Sequence, residues 1–338
     1  MNMFGVAVQI IENSQVAEAR RLVTGYAREQ GFDETRTGII AVLVTEMGSN
    51  LVKHGDGGMI VAHAIGPAAR TGIELLALDR GPGMADPDAC LRDGYSTAGS
   101  PGTGLGAIIR MSDESRIYSV PGKGTALMAR LWADSVPYYD PGPIRTEGIS
   151  IPKAGESACG DAWTCVNNGD RNVIMVADGL GHGMLAATAA QTAVEVFYDN
   201  SDRNGERLLS IMHGALRSTR GAAVAVAEID RAGGLVRFTG VGNISATLLS
   251  PQRHQRMISH NGIVGHEARK IQEFIYPWSP ETTLVMHSDG ISTQWSLDSY
   301  PGLTLHHPSL TAGVIYRDFC RGNDDATVVV ATESESVP

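Results

Sequence analysis

Aromatic residues make up only 6% of this 338-residue chain, and cysteine occurs four times, as Cys90, Cys159, Cys165 and Cys320. No two cysteines stand at a C-x-x-C spacing, so neither a disulfide framework nor a zinc motif is expected. Reduced thiols of a cytoplasmic protein are the simpler reading. No Lys/Arg run occurs and the formal net charge is −10, which argues against a nucleic-acid surface, because phosphate backbones demand a basic one. No apolar stretch approaches membrane-spanning length. The N-terminus lacks the basic-then-apolar order of a signal peptide. No internal repeat is visible. The expectation is a soluble, cytoplasmic protein with neither nucleic acid nor membrane as partner. Glycine, by contrast, is plentiful, at 40 residues, which suits close-packed α/β layers joined by tight loops. The length allows two domains, each able to bury its own core.

The pattern divides the chain into three. Residues 1–133 begin with a strand, Val6–Ile11, and a helix capped by Ser14 and ended by Gly31. A second helix is predicted over Glu34–Lys53, because Ile39, Ile40, Leu43, Val44, Met47 and Leu51 recur at helical spacing. Strands follow at Met59–Ile65 and Ile73–Asp79, then a helix from Thr103–Gly106, then strands Ile117–Val120 and Thr125–Trp132. Residues 134–152 carry Pro137, Pro141, Pro143 and Pro152 with two glycines and read as a linker. Residues 153–338 are strand-rich, with helices near Leu185–Phe197 and Glu206–Arg217 between the strands. Overall this is an α/β (α+β) chain of sheets flanked by helices.

Three motifs in the first part bear on chemistry. Glu46, Asn50, Lys53 and His54 fall within about a 100° arc of the second helix, beside its apolar stripe, so polar groups there face a pocket. Asp79-Arg-Gly81-Pro-Gly83 ends a strand, and its glycines permit a backbone too tight for side chains. Gly102-Thr103-Gly104-Leu105-Gly106 opens a helix, whose exposed N–H groups and dipole favour anions. A Rossmann reading fails, because the glycines follow a loop and no ribose-binding acid stands at the usual distance beyond. In this order the motifs resemble the ATP-binding domain shared by histidine kinases, the Hsp90 and gyrase class of ATPases and, most closely, the anti-sigma-factor serine kinases. The resemblance implies an α/β sandwich over residues 1–133 that binds ATP or ADP with Mg²⁺. Asn50 would ligate the Mg²⁺ and Glu46 would be the general base on a substrate serine. Asp79, with Gly81 and Gly83, would read the adenine, and Gly102, Thr103, Gly104, Leu105 and Gly106 would wrap the phosphates. Lys53 and His54 stand open between a phosphate contact and a helix-end surface role. The family also permits an N-terminal homodimer; Ile10–Arg21 has material for an interface, and core packing explains those residues equally well.

The later part carries aspartates beside apolar strands: Gly160-Asp161, Asp178-Gly179, Asp289-Gly290 and Asp324-Asp325. Acids gathered at one sheet edge suit a pair of hard cations, which prefer oxygen ligands and activate a shared water. The words Ala177-Asp178-Gly179-Leu-Gly181-His182-Gly183, Ser288-Asp289-Gly290 and Asn323-Asp324-Asp325-Ala-Thr327 resemble the metal-dependent PP2C-type serine/threonine phosphatases, in particular the small bacterial branch of sporulation and stress signalling. That resemblance implies a sandwich of two antiparallel sheets with helices outside, and two Mg²⁺ or Mn²⁺ ions. The ions would be held by Asp161, Asp178, Asp289, Asp324 and the Gly179 carbonyl, with Asp325 as the alternate to Asp324. His182 is the candidate acid for the leaving serine oxygen, against the plainer reading of an exposed loop histidine.

Both motif sets in one chain point to a bifunctional partner-switching regulator. The first part would phosphorylate a serine on an anti-sigma-antagonist-like protein, and the second would remove phosphate from that protein or a relative. The alternative is a phosphatase governed by a catalytically inactive nucleotide-sensing or partner-binding N-terminal domain.

Overall fold

The computed structural model describes residues 5–66, 71–87, 104–134, 142–251 and 253–333. The chain forms two compact units, one of Met1–Tyr139 with Ser296–Arg317, the other of Asp140–Trp295 with Asp318–Pro338. Among the described residues no helix is long and apolar enough to cross a membrane. Cys159 and Cys165 are in no disulfide.

The first unit is built on an antiparallel sheet in the order β1-β2-β3-β5-β4. Its strands are β1 (Val6–Ile10), β2 (Gly58–Ile65), β3 (Gly72–Leu78), β4 (Glu114–Val120) and β5 (Gly124–Trp132). Helices α1 (Asn13–Glu29), α2 (Glu34–His54) and α3 (Gly104–Met111) belong to the same unit. Val16, Ala19, Val23 and Ala27 form one buried stripe on α1, and Ile40, Leu43, Met47 and Leu51 another on α2. Both meet Ile73, Leu75 and Ala77, the alternate residues of β3, in a single core, as period-2 and period-3.6 patterns require. Asp33 starts α2 by accepting from the Arg36 N–H at 2.7 Å. Ser14 lies inside α1 instead of capping it, because the helix begins at Asn13 with Glu12 as its cap.

The opposite face of this sheet is also buried. Glu74 of β3 and Arg130 of β5 are cross-strand partners there, and the Arg130 Nε donates to Glu74 at 2.6 Å. Helix α6 (Pro308–Phe319) contributes Ser309, whose hydroxyl donates to the same carboxylate at 2.8 Å. Residues 296–317 were expected in the phosphatase part. Their polar partners Glu74 and Arg130 place them on the first unit.

The second unit is a sandwich of two antiparallel sheets, β13-β10-β9-β8-β7 and β12-β11-β14-β15-β6. The first holds β7 (Asp161–Asn168), β8 (Arg171–Gly179), β9 (Ala222–Asp230), β10 (Leu235–Val241) and β13 (Glu273–Pro277). The second holds β6 (Ile144–Ile151), β11 (Ser245–Ser250), β12 (Arg253–Arg256), β14 (Thr283–His287) and β15 (Ala326–Glu333). Ile174, Val176, Phe238, Leu248, Met286 and Val329 fill the space between the sheets. The alternate residues Val173, Met175 and Ala177 meet helices α4 (Met184–Asn200) and α5 (Gly205–Ala215) on the outside. The stretch 134–152, expected as a linker, contains β6, which pairs with β15 along its whole length. Pro143 and Pro152 flank this strand instead of interrupting it, the position at which proline costs no ladder bond.

Candidate functional site

Two clusters collect the chemistry, one in each unit. In the first, α2 and the start of α3 bring Glu46, Asn50 and Gly104 together. A Cβ added to Gly104 would stand 3.2 Å from Glu46 Oε2 and 3.4 Å from Asn50 Oδ1, and both side chains are half-buried. The helix face thus looks onto an α3 N-terminus made of backbone. At the end of β3, the buried Asp79 accepts from the N–H groups of Gly81 at 2.9 Å and Thr125 at 3.1 Å, both through Oδ1. Burial holds its carboxyl above the usual range even so. Gly81 lies so close to Gly55 that a Cβ would meet its backbone at 2.8 Å, and Gly83 takes φ +68 against the Val120 carbonyl. These are close approaches that only glycine allows.

The other expected residues of this site divide. Leu105 packs against the hydrophobic core, so its side chain braces α3. Lys53 and His54 are exposed in the last turn of α2, where positive charge complements the helix dipole. Gly102 and Thr103 lie outside the described residues.

In the second unit, carboxylates converge on one end of the sandwich. Asp161 opens β7 directly opposite Asp178 at the end of β8. Asp289 follows β14, and Asp324 and Asp325 precede β15. The Ser288 hydroxyl donates to Asp161 at 2.6 Å and itself accepts from the Thr327 N–H, which fixes β14 and β15 around the buried acid. Burial first, and then the charges of Asp161, Asp289, Asp324 and Asp325, push Asp178 up to about 9. Burial, with Asp325 and Asp289 nearby, lifts Asp161 to about 7 against the Ser288 and Thr327 hydrogen bonds. Burial also raises Asp289 and Asp325. Such mutual repulsion means that these side chains share one site. Asp325 Oδ1 accepts from the Lys153 N–H at 2.9 Å. Its Oδ2 is buried with no partner of hydrogen-bond geometry. Among the described residues no three His, Cys, Asp or Glu groups close around a point as they stand. An all-oxygen, strongly anionic and loosely spaced set with an orphaned oxygen fits a hard divalent cation that keeps part of its water shell.

Comparison with known proteins gives these two clusters their context. Residues 11–131 match the histidine kinase-like ATPase domain family, and residues 168–332 match the stage II sporulation protein E (SpoIIE) family. The serine/threonine-protein kinase RsbT of Bacillus subtilis is 31% identical over 37% of this chain and 94% of its own length. The phosphoserine phosphatase RsbX of the same organism is 23% identical over 44% of this chain and 75% of its own. The chain belongs to the RsbT-like histidine kinase-type ATPases in its first part, and its second part matches the SpoIIE family. A solved structure of RsbX with magnesium superposes with a TM-score of 0.50 at 21% identity, over 56% of this chain and 96% of that one, and shares the fold. The chain is therefore a metal-dependent serine/threonine phosphatase of the PP2C kind joined to an RsbT-like kinase domain.

Within the SpoIIE domain, Gly179 ends β8 where a Cβ would stand 2.1 Å from the Ala186 carbonyl, so glycine is what lets α4 pack beside the acids. His182 is exposed, and its Nδ1 pairs with Glu156 Oε1 at 2.6 Å. Three groups escaped the sequence reading. Glu156 stands 26 residues from the histidine it holds. Asn243 donates to Asp289 Oδ2 at 2.8 Å across 46 residues. The exposed Arg220 places Nη1 3.0 Å from where a Gly181 Cβ would be, beside His182. Arg171, by contrast, is tied to Glu228 at the far end of β8 and plays no part at the acids. No motif spacing signals pairs so distant in sequence. Only Arg220, just before the apolar run of β9, sits where such a signal was legible.

Proposed function

We propose that this chain sets the phosphorylation state of a serine on an anti-sigma-antagonist-like protein, adding phosphate with its kinase-like domain and removing it with its SpoIIE domain, as a cytoplasmic partner-switching regulator. The observation that carries the removal half is the convergence of Asp161, Asp178, Asp289, Asp324 and Asp325 in one repelling cluster. That cluster is an arrangement with no structural benefit unless a cation compensates it. Asp178, Asp289 and Asp324, half-buried at its mouth, are the residues assigned to hold Mg²⁺ or Mn²⁺, with the Gly179 carbonyl beside them. Asp161 and Asp325 lie deeper and anchor the set. When bound, the metal supplies an activated water and neutralises phosphate oxygens. Asn243 orients Asp289. Arg220 approaches the substrate phosphate as a fork-shaped cation, and His182, oriented by Glu156, hands a proton to the departing serine oxygen.

In the kinase-like domain, Glu46 accepts the proton of the attacking serine hydroxyl. Asn50 is assigned to the nucleotide's Mg²⁺, and Asp79 Oδ2 accepts from the adenine amine while Oδ1 is held by Gly81 and Thr125. Gly104 and Gly106 present backbone N–H groups to phosphate. The placement of Glu46 beside Gly104 favours turnover over a purely nucleotide-sensing domain. Purified protein given labelled ATP and the antagonist protein tests this directly. Wild type should label the serine and Glu46→Gln should not. In the same preparation Asp178→Asn should leave the label in place where wild type removes it with Mn²⁺. If Glu46→Gln labels as wild type does, the kinase assignment is wrong.

A further inference from the structure

A cavity of about 530 Å³ opens on the outer face of the β12-β11-β14-β15-β6 sheet, beside the acid cluster and separate from it. The register explains what lines it. Ala246 and Leu248 of β11 point into the sandwich core, so Ser245, Thr247 and Leu249 form the floor of the outer face. Arg256 stands opposite Thr247 and His254 opposite Leu249, and both reach over the cavity from β12. The back wall is tied together by hydrogen bonds. Trp295 Nε1 donates to His287 Nε2 at 3.0 Å, which leaves the His287 Nδ1 proton for the Ser288 carbonyl at 2.8 Å. Asn243 is shared, for it lines the cavity and also bonds Asp289. The cavity therefore begins one side chain away from the acids.

Two further features say what would enter. Among the described residues β12 is an edge strand, paired with β11, so its outer backbone groups can take an extended chain. The strand reads Arg253-His-Gln-Arg256, and Arg253, His254 and Arg256 are exposed: His254 and Arg256 stand on the cavity side, where Arg256 Nη2 donates to the Thr293 carbonyl at 2.7 Å, and Arg253 on the other side of the strand, which makes a basic edge on a protein of net charge −10. Two residues of extended chain span about 6.6 Å, so neighbours a few positions from a phosphoserine at the acid cluster would lie along this edge.

We propose that the cavity and the edge of β12 bind the polypeptide segment flanking the phosphoserine, and that Arg253, His254 and Arg256 select segments with acidic side chains a few residues from it. The proposal rests on the phosphatase reading of the SpoIIE domain. It adds sequence selection to a site whose acids recognise only the phosphate.

The test uses the full chain with Mn²⁺ and three substrates: p-nitrophenyl phosphate, a phosphoserine peptide with acidic neighbours, and the same peptide with lysine neighbours. Wild type should prefer the acidic peptide. In R253A/R256A its KM should rise about fivefold, the loss of two exposed ion pairs, with kcat and p-nitrophenyl phosphate hydrolysis as in wild type. Arg256→Glu should shift preference toward the lysine peptide. Equal loss on p-nitrophenyl phosphate would assign the arginines to the fold or the chemistry and overturn the proposal. An unchanged KM on both peptides would also overturn it, and would leave the edge charges as a guard against strand-to-strand association. If wild type hydrolyses none of the three, the phosphatase reading itself fails. Direct titration of Asp178→Asn with the two phosphopeptides then decides the binding claim alone: tighter binding of the acidic peptide, lost in R253A/R256A, supports it, and equal binding overturns it.

Discussion

In the kinase-like domain the groups assigned to ATP are one carboxylate, one amide, one buried aspartate and a stretch of glycine backbone. In the SpoIIE domain five carboxylates crowd the end of a sandwich. The first arrangement is at rest in the folded protein. Asp79 Oδ1 is held by Gly81 and Thr125, and Gly81 and Gly83 sit where any side chain would collide with backbone. The second is under electrostatic load, because Asp178 is surrounded by like charges. A site that binds an anion through backbone dipoles can be complete before its ligand arrives. A site that binds cations through carboxylates holds repulsion that only the cation relieves. Substitutions should therefore act differently in the two.

The largest separation is expected from Asp178→Asn. Loss of one carboxylate at the metal set should lower Mn²⁺-dependent phosphatase turnover by on the order of 10³-fold, a few kcal/mol of transition-state stabilisation, while serine labelling by ATP continues. A variant that loses both activities would show that the two sites are not independent. Glu46→Gln is the converse. Removing the base should slow phosphoryl transfer about 10²–10⁴-fold with ATP affinity, measured by calorimetry, within a few-fold of wild type and phosphatase activity intact. A large loss of ATP affinity would move Glu46 from base to ligand.

How far these sites were legible follows from the same contrast. Strand-end acids such as Asp178-Gly179 and Asp289-Gly290 announce themselves, since a carboxylate beside a run such as Val173–Ala177 has no place in the core. Glu46, Asn50 and Gly104 were legible because helix periodicity and glycine spacing are local. The groups that hold the charged residues in place were not. Asn243 reaches Asp289 and Glu156 reaches His182 by folding alone. Strand β6 was hidden by its flanking prolines, because composition reports where a chain turns and is silent on what pairs between turns. The placement of residues 296–317 was hidden for another reason. Glu74 and Arg130 look like the solvent face of an ordinary sheet, and only their joint bond to Ser309 reveals a buried face.

Asn243 sharpens the comparison at a smaller scale. Outer groups that orient metal ligands are worth about 10–100-fold in metal affinity or activity. Asn243→Ala should raise the Mn²⁺ concentration needed for half-maximal phosphatase activity by about that factor, and excess Mn²⁺ should restore most of the rate. Asp289→Asn should not be restored in this way. If added metal rescues both equally, Asn243 and Asp289 have the same role and the distinction drawn from the 2.8 Å bond is wrong.

The smallest effect tests the electrostatic load itself. Asp178 keeps its proton up to about 9 in the folded chain, against about 4 for an unperturbed aspartate. Between those values the folded state binds more protons than the unfolded one, so stability falls as pH rises. In chelator-treated protein, denaturant unfolding of the SpoIIE domain should show stability decreasing from pH 5 to pH 9. Asp178→Asn, which is neutral without taking up a proton on folding, should be more stable than wild type at pH 8 and should show a shallower slope. Saturating Mg²⁺ should abolish the difference, because the cation compensates the charge that the amide lacks. If Asp178→Asn gains nothing at pH 8, or gains as much with saturating Mg²⁺ as without it, the SpoIIE acids carry no load that a cation relieves, and the contrast between the two sites does not hold.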